Sequence, residues 1–182
     1  KKQLAQAISD RFAKAGIRGN VNLNTGEVVL DFGEEYFDSG STNLKPKMKA
    51  SLDRFIPIYA QSLFKDPNIS DKVGSVEIIG FASSTYNGKY VNPKSTRPKD
   101  KTALDYNLNL SFGRANSIFK HVMNQSNLSV EEREKLMPMI KVVGRGYLPE
   151  GSNAAEIPDD MPEDVFCKKY NCSKTQKVIV KF

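Results

Sequence analysis

The chain has 182 residues, 39% of them hydrophobic and 26% charged, which is the composition of an ordinary globular protein. This length fits one domain with a short extension, and no stretch approaches the run of about 20 apolar residues that a membrane-spanning helix needs. The net charge of +6 allows an anionic partner. The densest basic stretch, residues 89–101, is better explained as a solvated loop than as a nucleic-acid-binding patch, because no nucleic-acid-binding motif surrounds it.

The start of the chain and its two cysteines bear on the compartment in which the protein is found. The chain begins at Lys1 without a signal-peptide pattern, so we expect a processed product or a fragment whose anchor or export signal lies upstream. Cys167 and Cys172 lie close together in a polar segment, and His121 is the only histidine that could complete a metal site. A metal site is therefore excluded, and the spacing favours a small disulfide loop over free thiols. A disulfide implies an oxidising compartment such as the periplasm.

The first half of the chain predicts two helices and three strands. Apolar residues at helical spacing predict a helix over residues 3–15, with Gly16 as its C-cap. Residues 21–32 predict a hairpin whose second strand is 28–32. A long helix is expected to begin at Pro46 and continue to Leu63, with Pro57 kinking or splitting it because an interior proline costs about 3 kcal/mol. A strand follows over residues 73–81.

The second half begins with a polar insertion over residues 84–104, which has no periodicity. A helix is predicted over 105–125. Its apolar face is expected to carry Leu108, Ala115, Ile118, Phe119 and Val122. A capping box over 129–132 starts a short helix that ends near Pro138.

The last elements are a strand over 139–143, a loop over 144–175 that holds the cysteines, and a final strand over 177–182. Helices alternate with strands along most of the chain. This order predicts an α/β (α+β) sandwich, in which two long helices cover one face of a small mixed sheet and at least one strand pair is parallel.

The sequence carries no sign of catalysis. His121 falls in the middle of a predicted helix, where we expect a surface histidine, and no G-x-S-x-G motif presents a nucleophile. A glycine-rich phosphate loop is also missing. The acidic pairs Glu34–Glu35 and Asp159–Asp160 lie in polar loops and are expected to be solvated. We therefore expect neither catalytic residues nor a cofactor.

Four segments resemble, in order, the motifs of the OmpA-like domain family. Residues 37–46 resemble its F-D-S-G-S-x-x-L-x-P motif, and residues 78–83 its I-x-G-H-T-D motif. Residues 106–115, YNLNLSFGRA, are similar to its Y-N-x-x-L-S-x-x-R-A motif at every specified position. Residues 143–149 resemble V-x-G-x-G-x-x-x-P, shortened by one residue. The resemblance covers about residues 28–182.

The resemblance implies a non-catalytic domain that binds the stem peptide of Gram-negative peptidoglycan, chiefly its diaminopimelate residue. The implied ligand-binding residues are Phe37, Asp38, Ser83, Tyr106, Asn107, Leu110 and Arg114. Arg114 takes the position of the family's carboxylate-binding arginine, which suits the bidentate geometry of a guanidinium. Asn107 donates to the peptide, Tyr106 and Leu110 shape the pocket, and the loop at Phe37 and Asp38 offers backbone groups and an apolar wall.

Simpler roles stay open for several of these residues. Leu110 can serve in packing, Tyr106 as a core aromatic at the helix start, and Asn107 as a helix cap. Arg114 can pair with a surface acid.

Ser83 departs from the family pattern. The family has an aspartate at this position, and that aspartate pairs with the ligand's ammonium group, whereas Ser83 brings no charge. Loss of a charged hydrogen-bond partner costs about 1.5–3 kcal/mol. Three explanations follow: weaker binding, a different ligand, or a substitute acid among Asp38, Asp100 and Asp105.

The N-terminal helix and hairpin, residues 1–27, resemble the linker of MotB-type stator subunits, flagellar or Zorya-type, in front of a peptidoglycan-binding domain over 28–182. This resemblance implies a homodimer in the periplasm, tethered to the inner membrane by an upstream anchor and joined to an ion-channel partner. The alternatives are an outer-membrane OmpA-like protein or lipoprotein and a protein-interaction domain that has lost wall binding. Nucleic-acid binding rests on net charge alone and is not expected.

Overall fold

The structure is a computed structural model that describes residues 1–30, 36–124, 127–146, 153–175 and 177–182. Within these ranges the helices are α1 (Lys2–Lys14), α2 (Pro46–Phe64), α3 (Pro67–Ser70), α4 (Lys101–Met123), α5 (Val130–Leu136) and α6 (Glu163–Tyr170). The strands are β1 (Asn20–Val21), β2 (Glu27–Val29), β3 (Val76–Ala82), β4 (Thr85–Tyr86), β5 (Lys89–Tyr90), β6 (Ile140–Gly146) and β7 (Val178–Lys181). Short 3-10 turns lie at Pro98–Asp100, Met137–Met139, Ala154–Glu156 and Cys172–Thr175. None of the described helices is both long enough and apolar enough to cross a bilayer.

The main sheet is mixed, as the sequence predicts. Its strand order is β1-β2-β7-β3-β6, in which β3 and β6 run parallel and the other neighbours run antiparallel. A parallel pair needs a long crossover connection, and helices α4 and α5 lie in this one. Strands β4 and β5 form a separate two-stranded hairpin.

One face of the main sheet carries the core. The residues buried in it from the strands, and from the position directly after β2, are Val28, Leu30, Val76, Ile78, Val178 and Val180. They pack against buried side chains of α1, α2 and α4, and α1 contacts α2 through Phe12 and Phe55, whose ring centroids are 5.0 Å apart. The prediction that two long helices cover one face of a small mixed sheet is confirmed, and α1 shares the same core.

Helix α4 lies close to the sheet because two paired glycines leave room for its backbone. Gly80 and Gly144 are neighbours in the β3–β6 register. A Cβ atom on Gly80 would lie 2.2 Å from the backbone oxygen of Ser111, and one on Gly144 would lie 2.8 Å from Cα of Phe112. The backbone of α4 therefore rests directly on these two strands.

Pro57 does not split α2, which is continuous from Pro46 to Phe64. Proline has no N–H to donate to the carbonyl of Asp53, one helical turn earlier. That carbonyl instead accepts from Nδ2 of Asn127 at 3.2 Å. The Asp53 carboxylate lies 2.7 Å from Nε2 of His121, so this histidine is not a free surface residue but joins α4 to α2.

Helix α4 begins at Lys101, four residues before the predicted start. Ala115, Ile118 and Val122 are buried as predicted, whereas Leu108 is 51% exposed and its assignment to the buried face is wrong. The reason is the position of the helix along the sheet. Ser111 already lies over Gly80, near the end of β3, so the residue three positions earlier extends beyond the strands.

The loop predicted over residues 144–175 is more ordered than expected in its described part. β6 continues to Gly146, and residues 163–170 form α6. This helix packs on the hairpin of the insertion: the rings of Tyr90 and Phe166, both fully buried, stack with centroids 4.8 Å apart. Together with Ile157 they form a second, smaller core. We call residues 84–100 and 153–175 the side module.

The predicted disulfide and an ion-pair network stabilise the side module. Cys167 and Cys172 are bonded to each other. Two ion pairs connect the module's halves: Arg97 to Asp159 at 3.0 Å, and Lys99 to Asp160 at 3.2 Å. Both aspartates are exposed, as expected, but each forms an ion pair with the basic stretch, which no local sequence pattern could predict. The pair Glu34–Glu35 lies outside the described residues.

Candidate functional site

Arg114 lies under the loop that precedes α2. Its side chain is buried, with 2% of the residue exposed. Nε donates to the carbonyl of Ser41 at 3.0 Å, Nη1 to that of Phe81 at 3.2 Å, and Nη2 to that of Asp38 at 3.4 Å. Arg114 thus fastens the loop to the end of β3 through backbone carbonyls, and the alternative that it pairs with a surface acid is wrong.

Arg114 also places a positive charge beneath this loop. Its guanidinium carbon lies 5.2 Å from the ring centroid of Phe37, which is fully buried. Burial lowers the pKa of Arg114 to about 10, against a smaller upward effect of Tyr106. The side chain therefore stays charged at neutral pH, and hydrogen bonds from a charged donor to carbonyls are stronger than neutral ones.

The acids considered as substitutes for the missing aspartate are not equivalent. The carboxylate of Asp38 is largely exposed and lies 3.3 Å from Nζ of Lys45. Asp100 is buried and accepts hydrogen bonds from Ser95 and Arg97, which together lower its pKa. Asp105 is exposed on the first turns of α4. Two of the three are thus held by partners of their own.

Asn107 joins α4 to the side module. It is 8% exposed, and its Nδ2 donates to the carbonyl of Thr85 at 3.1 Å. It does not cap the helix, because α4 begins six residues earlier. Asn107 and Ser83 line a cavity of about 160 Å³ beyond the ends of β3 and β6. The rest of its wall includes Ser84 and the apolar side chains of Ala82, Val91, Pro93, Leu104 and Leu108.

Tyr106 and Leu110 lie on α4 outside the residues that line this cavity. Tyr106 is 44% exposed, so the alternative of a core aromatic is wrong, and its ring centroid lies 5.2 Å from that of Tyr86. Leu110 is half-buried.

Five of the seven predicted site residues therefore fall into two neighbouring groups. Ser83 and Asn107 line the cavity. Phe37, Asp38 and Arg114 hold the adjacent loop, and the Arg114 bond to Phe81 places the second group two residues from Ser83 on the same strand end. Tyr147 and Pro149 of the fourth family motif lie outside the described residues.

Two further polar residues join the site. Oγ of Ser83 lies 3.1 Å from Oγ1 of Thr85, and that hydroxyl donates to Oε1 of Glu163 at 3.0 Å. Sequence inspection missed both partners. The acidic Glu163 and Asp164 directly after Pro162 are typical of a helix start, which could have predicted α6. No local pattern could have placed that helix beside a residue 78 positions earlier.

Comparison with known proteins agrees with this fold. No protein-family model matches the sequence. The crystal structure of a putative MotB-like protein from Desulfovibrio vulgaris is similar with a TM-score of 0.52 and 13% identity, covering 98% of this chain and 90% of that one. The cell wall anchor of the T6SS from Pseudomonas aeruginosa gives a TM-score of 0.49 and 16% identity, covering 98% and 96%.

The chain thus folds as an OmpA/MotB-like domain. Among curated proteins, the Zorya protein ZorB of Escherichia coli is 29% identical over 133 residues. The match covers 72% of this chain and 52% of ZorB, so the chain spans about half the length of that relative.

Proposed function

We propose that this domain binds peptidoglycan and anchors a membrane-tethered complex to the cell wall in the periplasm. The observation that carries the proposal is the arrangement made by residues 106–115. This segment brings Asn107 to a cavity of about 160 Å³ while Arg114 holds a buried positive charge beside it. The segment also carries the sequence resemblance to peptidoglycan-binding domains, and the fold likeness to a MotB-like protein supports the same conclusion.

The ligand is the stem peptide, and its diaminopimelate residue carries the groups that this site fits. Asn107 and Ser83 contact the peptide from the cavity. Tyr106 and Leu110, on the same helix but outside the cavity wall, contribute to binding next to it. Three of the five N–H groups of Arg114 already donate to backbone carbonyls. Arg114 therefore supports binding of the ligand's carboxylate through its charge and through the loop at Phe37 and Asp38 that it fixes.

The likeness to the Zorya protein ZorB supports a role in a stator-type assembly. We infer that the domain works as a homodimer, tethered to the inner membrane and coupled to an ion-channel partner. Dimerisation would double the wall contacts of one assembly, and such bivalency raises the overall strength of attachment without any new contact.

The test is co-sedimentation of the protein with purified sacculi. We expect the wild type to pellet and Asn107→Ala to bind about tenfold more weakly, as the loss of about 1.4 kcal/mol of hydrogen-bond energy would give. The matched control is Asn109→Ala, an exposed asparagine two residues along the same helix, which should pellet like the wild type. Wild type that stays in the supernatant refutes wall binding.

The role of Arg114 and the identity of the ligand need separate measurements. Arg114→Lys keeps the charge but loses the planar fork, so we expect weaker binding together with a lower melting temperature. Arg114→Ala should lower the binding and the melting temperature further, and equal pelleting of folded Arg114→Ala and wild type would remove this residue from the site.

The identity of the ligand is tested with a second kind of sacculus. Sacculi with lysine in place of diaminopimelate should bind more weakly, since they lack the second carboxylate. Equal pelleting with both kinds would refute diaminopimelate recognition and leave wall binding intact.

A further inference from the structure

The hydroxyl protons of Ser83 and Thr85 have a defined direction. Thr85 donates its hydroxyl proton to the carboxylate of Glu163 at 3.0 Å. A hydroxyl has one proton, and an ionised carboxylate only accepts. Thr85 therefore cannot also donate across the 3.1 Å contact with Ser83, so Ser83 must be the donor there. The hydroxyl oxygen of Ser83 can therefore only accept a hydrogen bond from a ligand in the cavity.

Asn107 adds an amide to the same wall. One N–H of its Nδ2 donates to the carbonyl of Thr85, which leaves the other N–H as a donor and Oδ1 as an acceptor. The cavity therefore offers acceptor oxygens from Ser83 and Asn107, beside Ser84 and an aliphatic wall. A carboxylate lies behind Ser83, one hydroxyl away. This combination suits an N–H donor with positive charge at the end of an aliphatic chain.

We propose that Glu163, acting through Thr85 and Ser83, supplies the negative charge with which this pocket binds the ammonium group of its ligand. The proposal rests on the wall-binding function proposed above and adds to it the residue that provides the charge. It explains how a serine can occupy position 83, where the resembling family has an aspartate. Glu163 is a positioning residue, because it acts on the ligand through the two hydroxyls and through its charge.

The fold holds Glu163 in place from both sides. Its backbone N–H donates to the carbonyl of Gly88 at 2.8 Å, and the carbonyl of Met161 accepts from the N–H of Tyr90 at 2.7 Å. One turn further along α6, Phe166 stacks on the ring of Tyr90. The carboxylate is therefore fixed by the same contacts that hold the side module together, which is the kind of support that a binding group needs.

The test compares Glu163→Gln with Asp164→Asn in the sacculus assay. Glutamine keeps the shape and the acceptor oxygen for Thr85 but removes the charge, so we expect about tenfold weaker binding at an unchanged melting temperature. Asp164→Asn removes the same charge from the neighbouring exposed position and should bind like the wild type. If Glu163→Gln pellets as well as the wild type, the proposal is overturned while wall binding stands. If the wild type itself does not pellet, the proposed function fails, and this proposal with it.

Two further measurements separate a charge effect from a structural one. Adding Ser83→Asp to Glu163→Gln puts a carboxylate directly at the cavity, and we expect it to restore binding. Acetylation of the free amino groups of the sacculi removes the ammonium, so wild-type binding should fall to the level of Glu163→Gln, and the difference between the two proteins should vanish. Failure of the rescue, together with an unchanged difference on acetylated sacculi, would show that Glu163 acts only through the fold.

Discussion

The contact of α4 with two strand glycines predicts that Gly80→Ala destabilises the protein. The new Cβ would lie 2.2 Å from the backbone oxygen of Ser111 and 2.8 Å from the backbone nitrogen of Ala115. Ordinary contacts of this kind begin at 3.4 Å, so the helix and the strand must separate by about 1.2 Å. Both atoms belong to the helix backbone, and no side-chain rotation can relieve the clash.

The expected cost is at the upper end of the range for overpacked cores, about 3 kcal/mol. For a chain of this size, that loss lowers the melting temperature by about 6–12 °C. Gly74→Ala is the matched control, because a Cβ there meets nothing within 4 Å. The control should be neutral or slightly stabilising, since alanine restricts the unfolded chain more than glycine does.

The assay is urea unfolding of the wild type and both variants, followed by sacculus co-sedimentation below the transition. Because Asn107 and Arg114 are both on α4, a helix lifted from β3 also moves them away from Ser83 and Phe81. We expect Gly80→Ala to lose binding even where it is fully folded. Equal free energies of unfolding for Gly80→Ala and Gly74→Ala would refute the close approach of α4 to the sheet.

Two further predictions concern the side module. Asp100→Asn should destabilise the protein at neutral pH, because the hydrogen bonds from Ser95 and Arg97 hold the pKa of Asp100 below its ordinary value of 3.8. A carboxyl group whose pKa is lower in the folded state stabilises the fold above its unfolded-state pKa. This stabilisation is lost as the pH falls through the folded-state pKa. The difference between variant and wild type in urea unfolding should therefore shrink well below pH 3.8, and a difference independent of pH would contradict the assignment. Replacing Cys167 and Cys172 by serine opens a loop with a sequence separation of only 5, so the loss should be about 2 kcal/mol, seen as a melting temperature about 4–8 °C lower. A melting temperature unaffected by either the substitutions or a reductant would show that the disulfide does not stabilise the fold.

Much of the main sheet could be predicted from the sequence, because its elements carry periodic local patterns. The buried face of α4 repeats at helical spacing through Ala115, Ile118 and Val122, and β3 is a run of β-branched and apolar residues. The disulfide was also predictable, since its two cysteines are close along the chain. In these cases the information lies within a single element.

The errors have one cause in common, which is contact between distant segments. Pro57 was expected to kink or split α2, and α2 is not split; the Asp53 carbonyl accepts from Asn127, 74 residues away. Leu108 continues the apolar stripe of α4 and is exposed because the sheet ends beneath it. Position along a partner element leaves no periodic signal, so local patterns cannot reveal it.

The two ends of the candidate site depend on different parts of the fold. Arg114 is embedded between the main sheet and the loop before α2, so substitutions there disturb the core of the domain. Glu163 depends instead on the side module, with its own small core around Phe166 and its own disulfide. Changes in the side module can therefore alter the charge presented at Ser83 without loosening Arg114.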